Sequence, residues 1–281
     1  MLFNAKQFNT ALFNGGSTIA TTYLTDSAVF ENFSLSDGTR MVLTDPPKFG
    51  PTRDLAADPV PRGHGMSKTS ALFRENTIEL RGWVKHTSTA LLDAYLDTIR
   101  MTLETEDGNL DLIDANGTVK RYVVTCDNYE DLFADRQRYH TTRCPFVIRF
   151  RCFDPFGKAR GYTSVFYPSM TTSGTVQSIV NPGTRKARAV FVLNFSAASS
   201  VTAVTVTNGT TGEAITYTGA AAASDVLVFD GENLTVTKNG VAADFTGAFP
   251  TLKVGANLVT TTVTGTSFSQ DMTSKYKQTY L

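Results

Sequence analysis

Apolar and polar residues alternate with a period of two along residues 145–153. Phe146, Ile148, Phe150 and Cys152 fall on one side, and Val147, Arg149, Arg151 and Phe153 on the other. Side chains change face at each step of a strand, so this stretch predicts a strand with one face in a core and the other wet or against a partner. Shorter β-favouring runs at 28–35, 77–84, 109–113 and 119–127 predict further strands. Between them the period changes: Leu92, Tyr95, Leu96, Ile99 and Leu103 recur at helical spacing. They predict one helix over 89–104, capped by Ser88 or Thr89 and ended by Glu106-Asp107-Gly108. Asp114-Ala115-Asn116-Gly117 supplies residues that tolerate positive φ, so residues 109–127 read as a β-hairpin. This first part is α+β, a sheet with one packed helix.

Further on, short strands are predicted at 189–195, 200–208, 213–217, 225–230, 233–238 and 257–264. Asn208-Gly209, Thr211-Gly212, Asp230-Gly231 and Asn239-Gly240 punctuate them as turns. Regular turn spacing with alternating strands predicts an antiparallel β-sandwich. The final residues, 274–281, read as a last strand or as a tail tucked onto the sandwich. The chain changes character near residue 160: Trp83, all three histidines and all three cysteines lie before it, and a Thr-, Val-, Ala- and Gly-rich stretch follows. This predicts two domains, 1–160 and 161–281, with the joint in 157–182.

Residues 37–76 show no sustained periodicity and carry Pro46, Pro47, Pro51, Pro59 and Pro61 with several glycines. A loop this long within a compact domain is either disordered or functional. Prolines pre-set φ and reduce the entropy lost on ordering, so this loop is built to hold an extended shape against another subunit.

Composition narrows the function classes. With 281 residues, 41% apolar and 11% aromatic, the chain can bury a real core. Lys plus Arg equals Asp plus Glu at 26 each, so no global field draws the protein to nucleic acid or an acidic membrane. Cys126, Cys144 and Cys152 are too few and too odd for a disulfide framework, which fits assembly in a reducing cytosol. No signal-peptide pattern opens the sequence and no stretch approaches the apolar length of a membrane span, so neither secretion nor insertion is expected.

The search for chemistry returns little. His140, Cys144 and Cys152 are separated by four and eight residues, which suits no common zinc site. Residues 63–69, Gly-His-Gly-Met-Ser-Lys-Thr, lack the Gly-Lys pair and the strand–helix frame of a phosphate-binding loop. Glu106/Asp107 and Glu130/Asp131 sit in turns or on solvated faces, and no nucleophile elbow occurs. No catalytic, metal or cofactor residues are expected. Lys48, Arg53, Arg62, Lys68 and Arg74 outnumber Asp54 and Asp58 in the long loop. Sparse aromatics favour intersubunit pairing or solvation there over nucleic-acid binding.

The order of features is nonetheless distinctive. A strand is followed by a loop with Arg53-Asp54, Pro61-Arg62-Gly63 and Gly65, then by Glu79-Leu80-Arg81-Gly82-Trp83-Val84. A helix and a hairpin come next, and then a strand closing in Phe150-Arg151-Cys152-Phe153-Asp154-Pro155. The second half opens with Asn181-Pro182-Gly183, has Gly212 and Asp230 in turns, and closes with Gly247-x-Phe249-Pro250-x-Leu252-x-x-Gly255-x-Asn257. This order resembles the distal tail protein family of siphophages. The resemblance implies a virion tail protein assembled in the host bacterial cytoplasm, with six subunits in a ring joining the tail tube protein to the tail tip or baseplate hub. Receptor-binding or fibre proteins would be further partners. The first domain would form the ring and a central channel for DNA, with the long loop as a belt on the next subunit, and the second a galectin-like sandwich. Neither a membrane nor sequence-specific nucleic acid would be a partner.

On that basis Phe49, Leu55, Val60, Met66, Leu72 and Phe73 are expected to bury against a neighbour, with Arg53, Arg62 and Arg74 pairing its acids. A second reading makes the sandwich a carbohydrate-binding module using Tyr217, Phe229, Phe245 or Phe249, although core packing accounts for most of these. An enzymatic reading ranks last.

Overall fold

The computed structural model describes residues 28–45, 47, 53–59, 66–104, 107–114, 117–132 and 142–280; for 53–59, 66–72 and 199 only the backbone is described. These fall into two compact units divided between Gly157 and Lys158. Among the described residues the chain is mainly β with one helix.

The first unit contains β1 (Ala28–Phe30), β2 (Phe33–Ser34), β3 (Met41–Leu43), β4 (Arg53–Pro59), β5 (Met66–Phe73), β6 (Asn76–Lys85), α1 (Thr89–Leu103), β7 (Gly108–Ile113), β8 (Val119–Asp131) and β9 (Arg143–Cys152). An antiparallel sheet runs in the order β2-β1-β7-β8-β9-β6-β3. One face carries the apolar alternation: Ile78, Leu80 and Val84 of β6 and Phe146, Ile148 and Phe150 of β9 are buried. Leu92, Leu96, Ile99 and Leu103 of α1 join them in one core. Ser88 starts the helix by accepting a hydrogen bond from the Leu91 N–H at 3.3 Å.

Two expectations for this unit need correction. Residues 28–35 are not one strand. Glu31 and Asn32 both have positive φ, 44° and 67°, and turn the chain so that Phe30 pairs with Phe33. Nor is 37–76 a loop throughout. Asp37 accepts the N–H groups of Thr39, Arg40 and Met41, folding a turn that leads into β3, and β3 pairs with β6. Burial of Asp37 works against its ionisation, but those N–H donors outweigh it and lower the pKa. Further on, β4 and β5 form an antiparallel ribbon whose pairing shifts between Ala56 and Ala57. Pro59 closes β4, where a missing N–H costs least.

β10 (Gly157–Ala159) spans the division, and the second unit continues with β11 (Thr163–Met170), β12 (Thr175–Asn181), β13 (Ala187–Asn208), β14 (Glu213–Ala221), β15 (Val226–Asp230), β16 (Thr235–Lys238), β17 (Val241–Ala242), β18 (Phe245–Gly247), β19 (Thr251–Leu252), β20 (Gly255–Tyr276) and β21 (Thr279–Tyr280). Two strands of 22 residues each, β13 and β20, pair with each other along most of their length. The first half of β13 and the last of β20 sit between β15 and β11. Their other halves sit between β14 and β12. The two long strands therefore run through both layers, and Phe191, Leu193, Val204, Val206, Ile215 and Met272 meet in the core between them. At the corner the pairing slips three times between Phe195 and Ala203. Gly265 there has φ 149°, and a Cβ on it would lie 2.6 Å from the Ser200 carbonyl oxygen. Residues 189–195 and 200–208, expected as separate strands, are thus one bent strand. Most of the expected joint, residues 163–181, consists of β11 and β12, the outer strands beside β20.

The exposed edge of β12 is closed by side chains. Tyr167 donates its hydroxyl hydrogen to the Ser178 carbonyl at 2.6 Å, and Tyr276 donates to the Val180 carbonyl at 2.5 Å.

Three fully buried asparagines tie the closing segment to the sandwich. Asn257 donates to the Lys253 and Gly255 carbonyls at 2.8 and 2.9 Å and accepts the Lys253 N–H at 2.9 Å. Asn208 donates to the Thr251 carbonyl at 2.7 Å and to Asn257 Oδ1 at 3.1 Å, and Asn181 donates to the Leu252 carbonyl at 3.0 Å. Buried amides of this kind persist because every polar atom finds a partner.

Candidate assembly surfaces

Of the residues expected at a subunit interface, Arg53 and Leu55 lie on β4, and Met66, Leu72 and Phe73 on β5. Arg74 follows β5 and is exposed; Phe49, Val60 and Arg62 fall outside the described residues. Register places Arg53 opposite Phe73, Leu55 opposite Ala71 and Pro59 opposite Met66. Phe73 is half-buried, and its ring meets Phe156 edge-on at 5.3 Å, anchoring the base of the ribbon to the first unit. Among the described residues neither β4 nor β5 pairs with any other strand. A two-stranded ribbon is marginal by itself in water, and each outer edge presents backbone donors and acceptors to a further strand.

The sheet face opposite α1 carries paired charges. Glu79 on β6 holds Arg81 at 2.6 Å and Arg149 of β9 at 3.0 Å, and Arg149 also reaches Glu130 of β8 at 3.6 Å. The Arg81 hydrogen bond, then that of Arg149, pulls the Glu79 carboxyl below its usual range. Arg151 lies 3.5 Å from Asp127, and Arg121 grips Asp111 with two bonds of 2.7 and 2.8 Å. Solvent-facing pairs of this kind contribute at most about 1 kcal/mol each. Their chief effect is to balance much of the charge on this face.

Cys144 and Cys152 are buried and Cys126 half-buried, all as free thiols; burial raises the Cys126 pKa. No cluster of metal-binding side chains occurs among the described residues. His64 and His140 lie outside them. Ser67 to Thr69, the end of the stretch that glances at a phosphate loop, are strand residues of β5. No described helix is long and apolar enough to cross a membrane.

In the second unit the four aromatics weighed as sugar platforms do not form one. Phe229 is fully buried, Tyr217 is 6% exposed with its hydroxyl bonded to the Ala220 carbonyl, and Phe249 packs on the core. Only Phe245, 38% exposed, presents a ring.

Asp225 accepts Lys238 Nζ at 2.8 Å, the Ala222 N–H at 2.7 Å and Asn239 Nδ2 at 2.7 Å. Lys238 first and then these amides lower its pKa from 3.8 to about 2. Because the folded-state value is the lower one, this stabilisation is present above pH 3.8 and is lost as pH falls through about 2. Asp225→Asn is expected to cost about 1–2 kcal/mol at neutral pH, allowing for solvent around Lys238, and to lose that penalty in acid. Urea midpoints at several pH values check it; a penalty that persists at pH 2 contradicts it.

Comparison with known proteins sets this geometry in context. Residues 182–280 match the family model of the siphovirus-type tail component, C-terminal domain. The matched residues make up most of the second unit. The crystal structure of the Dit protein (gp 19.1) of phage SPP1, described as "a paradigm of hub adsorption apparatus in Gram-positive infecting phages", is similar over 91% of this chain and 99% of that one. Its TM-score is 0.66 at 13% identity, so the two share a fold across both units. A chain of the phage P2 baseplate in its activated conformation with Ca matches over 81% of this chain and 88% of its own, with TM-score 0.37 and 8% identity, and carries no weight. No curated protein sequence matches the chain.

Proposed function

We propose that this protein is a structural, non-enzymatic component of a siphophage tail, the distal hub. In this reading first units close into a ring of six between the tail tube and the tail tip or baseplate, around a channel that passes DNA. The observation that carries the reading is the agreement of fold with SPP1 Dit over nearly the whole of both chains. The family-model match at 182–280 supports it independently.

The β4–β5 ribbon is the belt of this assembly. Head-to-tail interfaces generate a ring when the rotation between subunits closes, and permanent interfaces bury about 2,000 Å² or more. A ribbon laid on the next subunit supplies such area without enlarging either core, and its open edges gain partners there. Arg53, Leu55, Met66, Leu72, Phe73 and Arg74 are the contributing residues the ribbon carries or adjoins, with Phe49, Val60 and Arg62 beside them in sequence.

Native mass spectrometry and negative-stain imaging test this directly. The expected mass is six times 30.5 kDa. Deleting residues 48–74 is expected to leave a folded monomer, and intact rings from the deleted protein would falsify the belt. A full-length chain that stays monomeric at every concentration would sink the ring.

A further inference from the structure

Beyond the ring, the second unit carries an open cleft of about 430 Å³ lined by Thr184, Arg185, Lys186, Lys253 and Val254. Lys186 and Lys253 bring two exposed ammonium groups to it, and none of the five lining residues is acidic. Glu213 feels the charge of Lys186, but its Oε2 already accepts the N–H and hydroxyl of Thr251, both at 2.6 Å, and the Thr211 hydroxyl at 3.1 Å.

The cleft walls are held from beneath. Asn181 donates to the Arg185 carbonyl at 2.9 Å, Asn257 bonds both the N–H and the carbonyl of Lys253, and the N–H groups of Thr184 and Arg185 both reach the Thr279 carbonyl at 3.0 Å. Cations presented on a fixed backbone lose little freedom when a ligand arrives.

Val254 leads into an apolar strip on the outer faces of β20 and β12. Leu258 is 52% exposed, Val180 55% and Val176 56%, and register sets Val180 opposite Ala256 and Ser178 opposite Leu258. The tyrosine hydroxyls on Ser178 and Val180 block strand addition at the β12 edge, so an occupant lies across the face instead.

We propose that this cleft and strip together dock an acidic segment of a partner protein, with its carboxylates on Lys186 and Lys253 and its apolar side chains on Val176, Val180 and Leu258. A polyanion such as DNA would satisfy the cations but leave the strip in water, and the evenly balanced charge of the whole chain offers it no field. The proposal stands on the second unit alone, so its failure leaves the ring reading untouched.

Fluorescence anisotropy with the full chain tests it, using a labelled peptide that alternates Asp and Leu. An Asn–Leu peptide, inorganic polyphosphate and a short DNA duplex serve as controls. The Asp–Leu peptide is expected to bind, and to weaken as salt rises. The paired variant K186E and K253E is expected to weaken it by about tenfold or more and to favour a Lys–Leu peptide instead. The paired variant V180S and L258S is expected to weaken the Asp–Leu peptide without strengthening polyphosphate. Absence of peptide binding, tighter binding of polyphosphate or DNA, or affinity unmoved by either pair overturns the proposal. All four substituted side chains are exposed, so the core is left intact, and gain of the Lys–Leu peptide shows that the charge-reversed chain is folded.

Discussion

Asn257→Leu is expected to destabilise the second unit by about 4 kcal/mol or more, because it orphans several buried backbone groups at once. The carbonyls of Lys253 and Gly255 lose their donor, the Lys253 N–H loses its acceptor, and Asn208 loses one partner. Leucine matches the volume but has no polar atom, so the loss reports hydrogen bonding more than packing. Asn257→Asp separates the two further. It preserves shape but points a carboxylate oxygen at carbonyl oxygens, so its cost is expected to be as large at neutral pH and to shrink in acid as the carboxyl protonates. Urea denaturation with hydrogen exchange along β12, β13 and β20 measures both. A wild-type midpoint for the leucine variant would show that the three asparagines do not hold the closing segment.

Gly82→Ala is the counterpart in the first unit. Gly82 sits on β6 between β3 and β9, and an added Cβ would lie 2.2 Å from the Val42 carbonyl oxygen and 2.9 Å from Cζ of Phe146. No rotamer relieves a clash with a backbone oxygen, so β3 or β6 must move. With only three residues, β3 is the strand expected to detach, at a cost of about 2–4 kcal/mol. Trp83, the single tryptophan, is the Cα partner of Val42, so its emission reports the separation. Unchanged emission together with an unchanged denaturation midpoint would refute the prediction. Ring formation is expected to fall with it, since β3 leads into the segment that carries the ribbon.

What the sequence disclosed depended on whether local pattern and tertiary role agreed. The helix was legible because Leu92, Leu96, Ile99 and Leu103 both repeat at helical spacing and fill the core. Residues 146–152 were legible because their alternation runs through β9 with a single departure, Val147, which is buried on the outer face. The long strands β13 and β20 were not, because the corner inserts residues that break the alternation, and a bend reads locally like an end. The turn at Glu31 was hidden for another reason: glutamate rarely adopts positive φ, so nothing in its identity announces the reversal. The ribbon was masked by its prolines and by the shift at Ala56 and Ala57. Asn181, Asn208 and Asn257 look like turn residues in sequence; only the fold reveals that their side chains are wholly enclosed. Arg185, Lys186 and Arg188 cluster in sequence, but Lys253 is 67 positions beyond Lys186, so nothing linear marked the cleft the two lysines share.

The pairing of β13 with β20 bears on how the second unit would respond to mechanical load. Strands joined side by side along such a length resist a lengthwise pull in shear, where many backbone bonds must break together, whereas a hairpin pulled open from its tip peels one bond at a time. Endurance under tension is governed by how slowly the fold opens, not by its equilibrium stability. A load that pulls the two strands lengthwise from opposite ends of their pairing is therefore borne by many backbone bonds at once.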